Sequence, residues 1–371
     1  NLTAVNKASY EMQGRALRVY YYNNLWHYFG NIPFYLENLS SPYTAPQLSA
    51  DEVYNNLITE LESVIKSNVL PMRWDDVNCG RMSQAMCYMM YAEMVMYQKD
   101  TSRYATALQY MQEIINDKNE YGIMDDFASI WKNSGEWCKE SIWEVNYEIG
   151  FSERSWNNPQ GIGGTVLPTL ISPNSWPGGE GWDAGANGWG FMPVRTETYN
   201  MFASNDKRRD ATVWDCRGVE YTKRYQDTGF WLGKYRPYTE NNATSGDKDL
   251  NYNNNLRVYR VAEAYLNAAE FLLETGGDAN QAKDYVNKIR NRAGINQLTS
   301  VTVDDVINER HLEFVGEGKR YFDLVRTGKA ASVLVPDEYG YRTNSWTESK
   351  KYIPIAQAEL DSDPALVQNN Y

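Results

Sequence analysis

The chain has 371 residues, enough for one large domain or two, and its 42% hydrophobic and 23% charged residues are typical of a globular protein. The formal net charge is −12, and no local cluster of lysines and arginines forms the basic face that nucleic-acid binding requires. The sequence has no apolar run long enough to span a bilayer.

The first third of the chain predicts four helices. An apolar helical period begins near the amino terminus and ends at Gly30. Ser49 and Glu52 form the S-x-x-E pattern of a capping box, so a second helix is expected to begin there. A third helix is expected from Ser83, and a fourth over about residues 104–115. Paired helices of this length resemble tetratricopeptide units, although the W-x-x-L-G signature is absent.

From about residue 131 to residue 256 the periodicity fades. The segment SWPGGEGWDAGANGWG, Ser175 to Gly190, places three tryptophans among six glycines. A loop region this long is typically functional or disordered, and its aromatic content argues against disorder. Each tryptophan either anchors the loop in a core or presents its ring to a ligand, and the sequence leaves both interpretations open.

Three further helices are predicted after the loops. They run over residues 257–277, from Asp278 to Gly294, and from Thr302 to about Gly316. The expected fold is mostly α, a tetratricopeptide-like helical hairpin scaffold with a large, loop-rich, irregular insertion that carries the ligand surface. We predict a single domain over 1–371, with a helical scaffold in 1–130, the insertion in 131–256, and carboxy-terminal helices and tail in 257–371.

Reactive side chains are few. His27 and His311 lie far apart and outside any HExxH motif, and no GxSxG motif is present, which argues against histidine-based hydrolysis. The four cysteines have no metal-ligand spacing and are interpreted as small core residues, with disulfides as the alternative. No cofactor and no metal are predicted.

Four segments in the last third resemble the carboxy-terminal half of the SusD/RagB family in order and spacing. They are RVAEAYLNAAEFLLETG, AKDYVNKIRNRAGI, INERHLEFVGEGKRYFDLVRTGK and YIPIAQAELDSDPALVQNNY. The segment GRALRVYYYNNLWHYFGNIPFY is similar to the family's amino-proximal helix. The resemblance implies a lipid-anchored outer-membrane protein, exposed at the cell surface of Bacteroidetes, which binds glycans and less often peptides. It also implies a SusC-like TonB-dependent transporter as partner and a lipid anchor that is not present in this sequence.

The charged residues of the third segment are predicted to be structural. Glu309 and Glu313 are four residues apart, so both carboxylates share one helix face, which would suit a glycosidase pair. However, neighbouring arginines would lower the pKa of each carboxyl, whereas a general acid needs a raised pKa. We therefore expect a scaffold network that ties the last helix to the tail.

The ligand site is predicted in the loops, where aromatic rings would stack on the apolar face of a sugar and polar groups would bind its hydroxyls. Glycines are expected to let the backbone approach the glycan with free N–H groups. The candidate ligand-binding residues are Trp156, Trp176, Trp182, Trp189, Asp183, Asn187 and Arg195. Second choices are Trp231, Tyr235, Tyr238 and Trp346.

Three functions stay open at this point. The favoured one is glycan binding without bond cleavage and delivery to the transporter. A glycoside hydrolase would use two loop carboxylates, for example Asp183 with Glu180 or Glu197. A RagB-like relative would bind peptides, or the loops would contact only the transporter.

Overall fold

A computed structural model describes residues 3–150, 153–158, 161, 163–178, 188–243, 247–338 and 340–371. The predicted site residues Trp182, Asp183 and Asn187 lie outside these described residues, as does Glu180. By their internal contacts the residues divide into a first unit, Asn1–Tyr110 with Tyr321–Tyr371, and a second unit, Met111–Arg320.

The chain is mostly helical, with short strands. In chain order the helices are α1 (Ala4–Phe29), α2 (Ala50–Lys66), α3 (Gln84–Gln98), α4 (Tyr104–Asn116), α5 (Leu167–Ile171), α6 (Thr196–Met201), α7 (Lys207–Thr212), α8 (Val261–Glu274), α9 (Ala279–Ala293), α10 (Val303–Glu313), α11 (Arg320–Arg326), α12 (Ala330–Val333) and α13 (Gln357–Ser362). The strands are β1 (Ile32–Pro33), β2 (Gln47–Leu48), β3 (Ser141–Val145), β4 (Val213–Asp215), β5 (Phe230–Leu232) and β6 (Leu256–Arg260).

Helix ends follow the capping residues of the sequence. Ser49 accepts from the backbone N–H of Glu52, whose side chain in turn accepts from the backbone N–H of Ser49, so the predicted capping box is confirmed. Gly294 ends α9 in the left-handed conformation with φ 75°. In the first unit α1 packs on α2 and α2 on α3, and in the second unit α8 packs on both α9 and α10. The predicted tetratricopeptide-like helical scaffold is confirmed.

The predicted helix over 257–277 begins later than expected. Residues 256–260 form β6, which pairs antiparallel with β3 in the register Glu144↔Arg257 and Ser141↔Arg260. Val258, which was expected on a helix face, therefore lies in a strand. The strand forms because its buried residues alternate along the chain and a partner strand more than a hundred residues away satisfies its backbone.

The middle region has a hydrophobic core of its own. The antiparallel hairpin of β4 and β5 pairs Val213 with Leu232 and Asp215 with Phe230. The buried cluster that includes this hairpin consists of Phe127, Ile130, Trp131, Ile171, Val194, Phe202, Val213, Phe230, Leu232 and Tyr235. This core holds the irregular segments between residues 127 and 235 in place.

Buried charges form an ion-pair network in the second unit. Its members include Glu140, Asp206, Arg208, Lys234, Arg260, Arg292, Glu309, Glu313 and Glu317. Burial alone would raise the pKa of Glu313, but the guanidinium groups of Arg292 and Arg260 hold it well below the usual range. Burial also acts on Lys234, whose pKa is lowered to about 8 despite the neighbouring Glu317.

The network corrects one prediction about the charged segment. The expected structural role and the lowered pKa are both found for Glu313 and Glu317. The partners of these two residues and of Glu309, however, come from the second unit between residues 140 and 292 and not from the tail. Several cations lie next to these carboxylates because strand β6 supplies Arg260, helix α9 supplies Arg290 and Arg292, and the middle region supplies Arg208 and Lys234.

All four cysteines are free thiols. Cys87 and Cys216 are buried as predicted, and burial raises the pKa of each thiol to about 12. Cys79 and Cys138 are half-buried. Among the described helices, none combines the length and the apolar character that crossing a bilayer requires.

Candidate functional site

Three aromatic rings meet at the surface of the second unit. Trp156 and Phe191 have 61% and 60% of their surface exposed, and half-buried Trp189 lies between them. The ring centroids of Trp156 and Trp189 are 5.7 Å apart with a tilt of 34°. Phe191 meets Trp189 edge-on, with centroids 6.1 Å apart at 85°. We call Trp156, Trp189 and Phe191 the aromatic platform.

Backbone hydrogen bonds hold the segment 189–191, which carries the rings of Trp189 and Phe191. The N–H groups of Trp189, Gly190 and Phe191 donate to the carbonyls of Thr169, Ser172 and Leu170 at 2.8, 2.9 and 2.9 Å. Thr169 and Leu170 belong to α5, so residues 189–191 satisfy carbonyls at the end of that helix. The rings are thus carried by an ordered segment.

Glycines in this segment pack against protein backbone. A Cβ atom at Gly188 would lie 2.2 Å from the carbonyl oxygen of Ser172 and 2.4 Å from that of Pro173. Gly190 has φ +67°, a conformation that side chains disfavour, and its N–H is already bonded to Ser172. The expectation that these glycines offer free N–H groups to a glycan is therefore wrong for Gly190.

Replacing Gly188 with alanine is expected to displace residues 188–191 from α5, because the new Cβ overlaps backbone atoms that have no rotamer to escape into. We expect a loss of about 1–3 kcal/mol in the free energy of unfolding, measured by urea denaturation. Gly218→Ala is the matched control, since a Cβ at Gly218 meets no atom within 4 Å. Equal stability of the two variants would contradict this packing role.

Trp156 lies on a tight turn with fixed ends. Its backbone N–H donates to the carboxylate of Asp247 at 2.9 Å. Two residues earlier, Asn251 holds the backbone of Arg154 by accepting from its N–H at 2.8 Å and donating to its carbonyl at 2.7 Å. Because Asn251 is fully buried, the turn is anchored to the core while the Trp156 ring stays in solvent.

The predicted tryptophans in the described residues fall into two environments, surface and core. It brings Trp156 and Trp189 together in the platform. Trp176 is only 5% exposed, and its ring packs edge-on against Trp214 with centroids 5.0 Å apart. The position of Trp176 therefore favours the core interpretation over ligand contact.

The other predicted residues in the described ranges are either buried or in contact with neighbouring side chains. Arg195 directly precedes α6, and its guanidinium donates to the carboxylate of Glu197 at 2.9 Å. Of the second choices, Trp231, Tyr235 and Trp346 are buried, while Tyr238 is half-buried with the Lys132 ammonium 3.4 Å from its ring centroid.

Phe191 and Arg224 lie beside the predicted tryptophans but were not among the residues predicted from the sequence. Phe191 directly follows the tryptophan–glycine segment in the run GWGFMP, which was a usable signal. Arg224 comes from the distant loop between β4 and β5, and its guanidinium carbon lies 5.8 Å from the Phe191 ring centroid. Arg224 reaches the platform only because β4 and β5 pair and position the loop between them.

Metal binding has no support in the part of the chain that the structure describes, where no group of three or more histidine, cysteine, aspartate or glutamate side chains has a suitable arrangement. The carboxylate next to the platform, Asp247, accepts from the backbone of Trp156. The surface thus offers exposed apolar rings with polar groups at their edge, an arrangement suited to binding.

Comparisons with known proteins agree with one another. The SusD family model matches residues 139–371, more than half of the chain. The solved surface glycan-binding protein A from Bacteroides uniformis is 60% identical, with a TM-score of 0.92 over 100% of this chain and 79% of that one. The protein of the same description from Bacteroides thetaiotaomicron, in complex with laminarihexaose, is 52% identical, with a TM-score of 0.92 over 100% of this chain and 80% of that one.

A more distant relative extends the same likeness. A SusD-like protein of Formosa agariphila is 24% identical over 96% of this chain and 70% of its own length. Together with the family model, the closely superposing solved structures and the helical scaffold described above, this identifies the chain: it belongs to the SusD family.

Proposed function

We propose that the protein binds a β-glucan of the laminarin type on the aromatic platform and passes it on without cleaving it. The main support is the pair of exposed Trp156 and half-buried Trp189, whose ring centroids lie 5.7 Å apart on an anchored backbone. A pyranose has an apolar face of CH groups, and stacking this face on an indole removes apolar surface from water. The platform lies within residues 131–256, the part of the chain predicted to carry the ligand surface.

The choice of ligand is supported by the relatives. The Bacteroides thetaiotaomicron protein, which this chain matches over its full length at 52% identity, was solved with laminarihexaose. A neutral oligosaccharide also suits a protein with a net charge of −12, which would repel polyanions at long range.

Binding without cleavage is supported by the state of the buried carboxylates. Glu313 and Glu317 are enclosed by arginine and lysine groups that lower their pKa, whereas a general acid requires a raised pKa. The alternative pair of Asp183 with Glu180 lies outside the described residues, and Glu197 is paired with Arg195. The hydrolase alternative is tested by incubating the protein with laminarihexaose, where we expect no release of reducing ends.

The cellular setting is part of the same proposal. Family membership supports a lipid anchor in the outer membrane, exposure at the cell surface and a SusC-like TonB-dependent transporter that receives the glycan. Co-purification of the transporter with the tagged full-length protein from membranes tests this partner, and recovery of the protein alone would argue against a stable complex.

Calorimetric titration with laminari-oligosaccharides of increasing length tests the binding proposal. We expect micromolar or weaker affinity, about −8 kcal/mol at 1 μM, which increases with length as more sugars meet the platform. Since the ligand is neutral, the dissociation constant should change less than twofold between low and moderate salt. Binding of peptides with no heat from any oligosaccharide would instead favour a RagB-like function.

A further inference from the structure

The aromatic platform has a polar neighbour, Arg224, in the loop between β4 and β5. This loop is fixed at several points. The N–H of Thr222 donates to the carbonyl of Asn174 at 2.8 Å. The carboxylate of Asp227 accepts from the Tyr221 hydroxyl at 2.7 Å and from the backbone N–H groups of Gly229 and Arg224 at 2.8 and 3.2 Å. The backbone of Arg224 is therefore held in position.

The absence of a side chain at Gly190 determines where the Arg224 side chain lies. A Cβ atom at Gly190 would be 2.7 Å from Cγ of Arg224, so the aliphatic stem of the arginine rests on the Gly190 backbone. This contact carries the guanidinium to within 5.8 Å of the Phe191 ring centroid. Gly190 and Phe191 belong to the segment that also carries Trp189, so Arg224 is joined directly to the platform.

Arg224 differs from Arg217 and Arg195 in its charge environment. Arg217, in the same loop, pairs with Asp215 at 2.7 Å, and Arg195 pairs with Glu197 at 2.9 Å. The Arg224 side chain is exposed and forms no ion pair with any residue in the described ranges. Its donors face solvent beside an apolar surface, where a bound sugar would present hydroxyl oxygens.

We propose that Arg224 is a specificity-determining residue of the platform and that it donates hydrogen bonds to hydroxyl oxygens of the stacked glycan. The inference rests on the proposed glycan-binding function. A guanidinium group has five N–H donors in a rigid plane and no acceptor, so it recognises pairs of oxygens in a defined direction. The rings supply affinity for any pyranose face, whereas the fixed arginine selects the chain whose hydroxyls reach it.

Ring geometry indicates which chains are selected. Trp156 and Trp189 are tilted by 34°, so both cannot lie flat against one straight ribbon. A β-1,4-linked glucan forms such a ribbon, while a β-1,3-linked glucan winds helically and turns successive sugars. A chain that follows both rings brings its hydroxyls towards Phe191 and Arg224. A ribbon that stacks on Trp156 alone leaves Arg224 without a partner.

Calorimetry with laminarihexaose and cellohexaose on three variants tests the proposal. Arg224→Met keeps most of the aliphatic stem and removes the hydrogen-bond donors. Arg224→Lys keeps the positive charge and removes the planar guanidinium. Lys223→Met is the control, because Lys223 is the neighbouring residue and is also exposed. For laminarihexaose we expect an affinity loss of about tenfold for Arg224→Met, a smaller loss for Arg224→Lys and less than twofold for Lys223→Met. For cellohexaose, Arg224→Met should change affinity less than twofold.

The outcomes separate this inference from the proposed function. If the wild-type protein binds laminarihexaose and Arg224→Met binds it equally well, or loses both ligands to the same extent, the specificity role of Arg224 is overturned and glycan binding stands. If the wild-type protein binds neither oligosaccharide, the proposed ligand and the role of Arg224 both fail.

Discussion

Replacing Glu313 with glutamine is expected to lower the free energy of unfolding by about 3–5 kcal/mol. Glu313 is completely buried and accepts hydrogen bonds from Arg292 at 2.6 Å, Arg260 at 3.0 Å and Arg208 at 3.2 Å. A neutral amide leaves these guanidinium groups short of one negative charge in a site that is fully buried. Urea denaturation of the purified variant measures the loss.

A matched control is available in an exposed ion pair. Asp210 pairs with Arg209 at 2.9 Å, but its side chain is mostly in solvent, where screening removes most of the attraction. Asp210→Asn should leave the unfolding midpoint unchanged within error. Similar losses for Glu313→Gln and Asp210→Asn would show that the buried network contributes no more than a surface pair.

Acidification provides a second measurement on Glu313. Since its folded pKa lies below that of an unfolded carboxyl, the stabilisation is complete above the unfolded value of about 4.3 and is lost as the pH falls below it. Glutamine does not titrate, so the stability difference between wild type and Glu313→Gln should shrink below about pH 4. A difference that stays constant to pH 3 would contradict the lowered pKa.

Local sequence signals predicted helix ends well. The capping box at Ser49 and Glu52 depends on side chains three residues apart, and the left-handed Gly294 depends on one residue. Strand β6 was missed because its pairing with β3 joins residues such as Arg257 and Glu144, which are far apart in sequence. Helical capping is local information, whereas a five-residue strand is decided by its partner.

The candidate site shows the same limit. Trp176 and Trp189 occupy the same tryptophan–glycine segment, and composition treats them alike. Their burial differs because Trp214, from strand β4, covers Trp176. Arg224 was missed for a related reason, since the Gly190 contact that places it exists only when the β4–β5 loop is folded.

Replacing Trp156 with alanine is expected to weaken laminarihexaose binding by roughly 30-fold, about 2 kcal/mol, while the melting temperature stays nearly unchanged. The ring is 61% exposed and its backbone is held by Asp247 and the Arg154–Asn251 pair, so the loss of the side chain removes ligand contact without opening the core. Calorimetric titration and a thermal scan on the same sample measure both quantities.

Tyr21→Ala is the matched control for this variant, because Tyr21 is also 61% exposed but lies in the first unit. It should bind laminarihexaose as the wild type does, which shows that loss of an exposed aromatic ring alone has no effect. The double variant Trp156→Ala/Trp189→Ala should lose more than 100-fold, since no stacked pair remains. Unchanged affinity in the double variant with its fold intact would place the glycan elsewhere, and a collapse of stability in Trp156→Ala would show that this ring supports the fold.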